Sequence, residues 1–147
     1  MNELRTNFEK YRDKAPSQLI KLLFHGSGRG GADPKVIFES EEGLDIRFAN
    51  FGLLGQGIYF ADNSAYSHGY TSQEQINGET YNCMFVCFVL PGDSARNPSN
   101  PRQLRIPPFK NEAENERYDS VQNHDGSHTV IFSNAKTFPA YLIKYKA

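Results

Sequence analysis

Apolar positions Leu4, Phe8 and Tyr11 recur at helical spacing among charged neighbours near the start of the chain, and Ala15-Pro16 closes that segment. A short amphipathic helix packed on the body of the protein is expected there, over residues 1–16 at most. The run L-I-K-L-L-F at 19–24 is almost continuously apolar and predicts a buried strand that stops at His25-Gly26-Ser27. Asp33-Pro34 can open a helix carrying Val36 and Ile37, with Gly43 closing it. Residues 44–54 have no clean period and read as a loop. Gly52, Gly55 and Gly57 then lead into a second buried strand at 58–61. Asp62, Asn63 or Ser64 can cap a helix that presents Ser67 and Tyr70, three apart, on one face. A polar stretch at 71–80 precedes a long strand at 81–90, and Pro91-Gly92-Asp93 turns the chain into an excursion at 94–118 with little core content. Strands at 128–132 and 140–145 finish the pattern. Several strands with few helices, unevenly ordered, predict an α+β domain.

Length and charge narrow this picture. The 147 residues suffice for one domain with a real core. With 16 basic against 17 acidic residues, composition gives no argument for a nucleic-acid or anionic-membrane partner. No apolar run approaches a membrane span, and the charged first twenty residues do not read as a signal peptide, so a soluble, monomeric chain without membrane attachment is expected. Cys83 and Cys87 lie four apart in Y-N-C-M-F-V-C-F-V-L. On a strand they face the same way, too far apart to bond, so they read as buried free thiols in a reducing compartment, cytoplasmic or nuclear.

Candidate chemistry gathers around the glycines. A loosened loop, a strand carrying Tyr59 and a helix presenting Ser67 and Tyr70 would make a slot for a flat polar ring. Each aromatic alone would also suit an ordinary core, and His25 alone a satisfied core histidine; their combination with glycine is what points to a ligand. Three other patterns carry less. Gly26, Gly28 and Gly31 spell G-x-G-x-x-G after a strand, with Asp45 downstream, but the strand-rich remainder does not alternate as a dinucleotide fold must. His124 and His128 are four apart, yet Asp125-Gly126-Ser127 between them reads as a turn, so no metal pair forms and no metal is expected. Ser27 lacks the G-x-S-x-G elbow of a nucleophile.

L-F-H-G-S at 23–27, G-L-D-I-R-F-A at 43–49, G-Q-G-I-Y-F-A at 55–61 and S-H-G-Y at 67–70 resemble the catalytic domain of the poly(ADP-ribose) polymerase family, with the tankyrases and mono-ADP-ribosylating members nearest in character. The ending V-I-F-S-N-A-K-T-F-P-A-Y-L-I-K-Y is similar to that family's closing strands. The resemblance implies an ADP-ribosyltransferase fold of split antiparallel β-sheets with a few flanking helices, spanning 1–147 as one domain. No counterpart of the family's helical regulatory domain occurs, which implies that NAD access is not gated from within this sequence.

Carried over by position, the resemblance implies that His25 bonds the adenosine ribose and that the Gly26 backbone and Ser67 hydroxyl grip the nicotinamide carboxamide, with Ser27 beside them. It further implies that Tyr70 stacks on the nicotinamide with Tyr59 opposite, and that Arg47 approaches the pyrophosphate. Polymerising members carry a glutamate at the start of the next-to-last strand; in register, His128 stands there, and a slip of one would bring Ser127 or Thr129, neither a carboxylate. The implied activity is transfer of one ADP-ribose from NAD, with His25, Tyr59 and His128 as the catalytic set. The acceptor would be a protein or a nucleic-acid end. The alternatives are an inactive NAD- or ADP-ribose-binding module and, more remotely, a phosphate-removing RNA enzyme on a related fold.

Overall fold

The computed structural model describes residues 12–28, 33–49 and 51–146. The helix expected at 3–14 falls almost wholly outside these residues, as does Gly31 of the glycine pattern. Pro16 begins a four-residue helix, α1 (Pro16–Leu19), which the sequence pattern did not predict and where a proline suits the first turn. Strand β1 (Lys21–His25) follows. Helix α2 (Pro34–Glu39) is capped by Asp33, whose carboxylate accepts from the Lys35 amide at 2.7 Å. It ends four residues before Gly43, because Ser40 has already turned extended.

The described residues of the expected loop, 44–49 and 51–54, hold a 3-10 turn at Ile46–Phe48 and the first strand of a small ribbon, β2 (Phe51–Gly52) paired with β3 (Gly55–Gln56). Strand β4 (Ile58–Ala61) has the bounds expected, and α3 (Ser64–His68) follows it. The polar stretch after Tyr70 is a strand, β5 (Ser72–Ile76), turned at Asn77-Gly78 into β6 (Glu79–Val89). Both turn residues have positive φ, 51° and 79°, as a two-residue hairpin demands. The excursion at 94–118 contributes β7 (Ser94–Arg96) and a ribbon of β8 (Phe109–Asn111) with β9 (Glu116–Arg117). Then come β10 (Ser120–Gln122), β11 (His128–Ile131) and β12 (Thr137–Tyr145), which starts three residues before the expected 140.

The main sheet has eight strands in the order β12-β6-β1-β4-β11-β10-β7, with β5 also on β6. Its pairings are antiparallel except β7 with β10. The architecture is therefore α+β, with the split expected of it. Strand β1 pairs with β6 over five residues, Lys21 to His25, but with β4 at a single position, Phe24 against Ala61. On the far side of that junction, β4 and β11 pair over four.

Strand alternation sends the core to both faces. Ile58, Phe60 and Ile131 join Leu23, Phe85, Cys87 and Val89 beneath Ile37 of α2. On the opposite face Tyr59 packs with Val130, Leu54, Ala95 and Val121. Each fully buried large side chain here, such as Phe60 or Phe85, stabilises the fold by about 1.5–3 kcal/mol. Cys83 and Cys87 are buried and unbonded to each other, and burial pushes the Cys87 thiol up to about 12.

Candidate active site

Where β1 and β4 part, a cleft of about 750 Å³ opens, a size typical of small-molecule sites. His25, Gly26 and Ser27 reach it from the end of β1, Tyr59 from β4, and Ser67 and Tyr70 from α3 and the turn after it. The loop before β4 covers it with Phe48, Phe51 and Leu53, and His128 meets it at the start of β11. Seven of the eight residues singled out from the sequence thus share one lining. Arg47 does not join them: its guanidinium is forked onto the Asp45 carboxylate through Nε and Nη2. Asp45 faces the cleft instead, and Arg47 holds its carboxyl well below the usual range.

The His25 ring bridges the split. Its Nδ1 lies 2.7 Å from the Tyr59 carbonyl oxygen. A carbonyl can only accept, so Nδ1 carries the proton and, in the neutral ring, Nε2 keeps a lone pair. Burial lowers the His25 pKa and so favours that neutral form, while this same bond partly offsets the shift by raising it. The imidazole also leans on Phe60, ring centres 5.6 Å apart.

Tyr59 is tied down at its far end. Its hydroxyl donates to the Gly55 carbonyl at 2.6 Å and accepts from the Leu54 amide at 3.0 Å, stapling the covering loop to the strand. Gly52 makes room for it, since a methyl there would stand 2.6 Å from the phenol oxygen. Burial raises the phenol pKa above its ordinary value.

Helix α3 is set by Asn63, whose side chain accepts from the Tyr66 amide at 3.1 Å. It is shorter than expected: Tyr70 lies beyond Gly69, held by its amide to the Ser67 carbonyl at 3.0 Å. Ser67 is buried within the helix. The end of β1 presses against this turn, and a methyl on Gly26 would sit 2.7 Å from the carbonyl oxygens of both Ser67 and Tyr70. The neighbouring Ser27 hydroxyl is shut off from solvent with no partner among the described residues, a state that costs about 1–3 kcal/mol unless a ligand relieves it.

Sequence reasoning passed over Tyr66. Its ring centre lies 3.8 Å from that of His128 and 5.3 Å from that of Tyr70, linking the two into one aromatic row. Burial and Tyr70 push its phenol up to about 12. Its signal was the four-residue spacing to Tyr70, which brings side chains together on a helical turn. Among the residues weighed for the start of β11, His128 is the one lining the cleft; Thr129 is buried and bonded to Gln122, and Ser127 is engaged with Asp125. Asp45 is the single carboxylate among the described lining residues.

Comparison with known proteins adds an independent finding. The family model described as the poly(ADP-ribose) polymerase catalytic domain matches residues 2–126. A probable poly [ADP-ribose] polymerase of Dictyostelium discoideum is 38% identical over 141 residues, covering 94% of this chain and 37% of its own length. Protein mono-ADP-ribosyltransferase PARP12 of Mus musculus is 36% identical over 129 residues, 85% of this chain and 17% of its own. Protein mono-ADP-ribosyltransferase PARP10 of Mus musculus is 30% identical over 130 residues, 86% and 13%. The chain therefore spans little more than a third of the longest-covered of these three relatives and under a fifth of the other two. No helix among the described residues is long and apolar enough to cross a membrane.

Proposed function

This chain belongs to the poly(ADP-ribose) polymerase catalytic-domain family, and from that premise we propose that it transfers one ADP-ribose unit from NAD to an acceptor, releasing nicotinamide. The observation that carries the reading is the convergence of His25, Ser67, Tyr59 and Tyr70 on one cleft at the split of the sheet. The Nε2 lone pair of His25 suits a ribose hydroxyl, which needs an acceptor. A carboxamide needs one donor and one acceptor at fixed separation, which the Gly26 backbone and the Ser67 hydroxyl supply. The planar nicotinamide cation prefers aromatic faces, here Tyr70 and Tyr59. The unpartnered Ser27 hydroxyl offers a further bond to the nucleotide.

The chemistry follows from the donor. Nicotinamide in NAD is a pyridinium and leaves without an acid: the ribose carbon to nicotinamide nitrogen bond breaks and its electron pair neutralises the ring. An oxocarbenium-like sugar results, an acceptor atom bonds to the ribose carbon, and an acceptor that carried a proton gives it up to solvent water. The protein's task is to grip nicotinamide and orient the sugar. His128 stands where the resemblance puts a glutamate in polymerising members, so no carboxylate at that position activates a second ribose hydroxyl, and one unit per acceptor site follows. The acceptor is a protein side chain or a nucleic-acid end.

A second reading is favoured by the same missing carboxylate: a module that holds NAD or ADP-ribose without transferring it. Incubation with labelled NAD and candidate acceptors, followed by intact-mass measurement, separates the two. Adducts of one ADP-ribose support transfer, and their absence beside measurable nicotinamide binding supports the module. Ladders of several units on one site would overturn the single-unit reading. Label that survives His25→Ala and Tyr59→Ala together would remove the cleft from the account.

A further inference from the structure

His25 and His128 meet one cleft with their rings wired in opposite senses, and Asn123 sets the wiring of His128. The backbone amide of His128 donates to Asn123 Oδ1 at 3.0 Å. Since a backbone N–H can only donate, the orientation of the Asn123 amide is fixed. Its Nδ2 then lies 3.2 Å from His128 Nδ1 and 3.0 Å from Ser127 Oγ. The Ser127 hydroxyl gives its own proton to Asp125 at 2.6 Å, leaving a lone pair for Asn123. An amide nitrogen has only protons to offer, so His128 Nδ1 accepts and the neutral ring carries its proton on Nε2. Tyr66 completes the mount, its ring 3.8 Å away and tilted by 41°, limiting rotation of the imidazole.

We infer that Asn123 and Tyr66 are positioning residues that hold His128 as an Nε2–H donor toward the cleft, in the spot where a carboxylate would accept. The inference rests on the transfer reading above and deepens it. A donor there can bond an oxygen lone pair of the donor ribose or of an incoming acceptor. It cannot remove a proton from an acceptor hydroxyl without first reversing its tautomer, which would set Nδ1–H against the Nδ2–H of Asn123. His25 is the complement, a lone pair facing its ligand. The cleft thus pairs one imidazole acceptor with one imidazole donor, each fixed from behind by an amide.

Long-range proton–nitrogen correlation spectra of the 15N-labelled chain report the tautomer of each ring directly. The four histidines are assigned by single His→Gln substitutions. His128 should carry its proton on Nε2 and His25 on Nδ1. Asn123→Asp supplies a carboxylate to Nδ1 and should move the His128 proton there. Transfer by that variant should then fall by about tenfold or more, the worth of one misdirected hydrogen bond to a reacting group, while affinity for nicotinamide changes by less than about threefold. Tyr66→Phe should retain more transfer than Tyr66→Ala, with the loss in kcat rather than KM. A wild-type His128 protonated on Nδ1 overturns the wiring whatever the transfer; so does an Asn123→Asp variant whose tautomer is unchanged. If that variant does not fold, the wild-type spectrum decides alone. The expected tautomers in a chain that transfers nothing would instead sink the transfer reading and leave the wiring standing.

Discussion

Removing one oxygen, in Tyr59→Phe, tests whether the loop over the cleft is held by the tyrosine it covers. The ring and its packing against Val130 and Leu54 remain, so little hydrophobic burial is lost. What goes is the bond to the Gly55 carbonyl at 2.6 Å and that from the Leu54 amide at 3.0 Å. Both residues are buried, and an unpaired buried backbone group costs about 1–3 kcal/mol. The cleft admits water, which recovers part of this, so the variant should lose about 2 kcal/mol in all. For a chain of this size that lowers Tm by roughly 4–8 °C. Gly52→Ala supplies the cross-check, because its methyl would stand 2.6 Å from the phenol oxygen and 2.8 Å from Cζ. Alone it should cost about 1–3 kcal/mol. In the Tyr59→Phe background the oxygen is gone, so the double variant should lie about 1 kcal/mol above the sum of the singles. Urea unfolding gives the three stabilities, and calorimetry with nicotinamide reports the state of the cleft. A Tyr59→Phe stability within about 0.3 kcal/mol of wild type, or strict additivity with Gly52→Ala, would refute the tether.

Gly26→Ala should weaken nicotinamide binding by more than about tenfold, since its methyl meets two backbone carbonyls that cannot step aside, and calorimetry would show it. Asp45 should make stability acid-sensitive: Arg47 and Asn134 depress its folded pKa, so its contribution is full above about pH 4 and is lost as the pH falls toward the folded value. Asp45→Asn should flatten the fall in urea midpoint below that pH, and an unchanged profile would count against the pairing. Cys87, fully buried with its thiol pushed up to about 12, should resist a thiol reagent at neutral pH until the chain unfolds, as mass spectrometry of the labelled protein would record.

Strong local signals carried most of what was legible in the sequence. The apolar run at 58–61 became β4 residue for residue, because a strand buried on both faces must be continuously apolar. Asp33-Pro34 opened a helix as capping chemistry requires. The glycines beside them singled out His25, Tyr59, Ser67 and Tyr70, the family resemblance supplied Gly26, Ser27, Arg47 and His128, and seven of the eight line one cleft. Missed elements were those whose stability is borrowed. Strand β5 is polar because most of it is exposed, and its Asn77-Gly78 turn was the available clue. Strands β7 and β10 are three residues each, too short for a period to register, and they exist because β10 pairs with β11 on one side and with β7 on the other. The pairing of Arg47 with Asp45 was invisible for another reason: two side chains two residues apart meet because of a 3-10 turn, which no apolar period or motif encodes.

The meeting of β1 and β4 at Phe24 and Ala61, with the imidazole of His25 spanning to Tyr59 beside it, works as a riveted seam between two plates. Loss of the His25 side chain would therefore unfasten the plates as well as empty a position on the ligand. A dead His25 variant reports on mechanics and chemistry at once, and amide exchange along Tyr59 and Phe60 is the gauge that tells them apart.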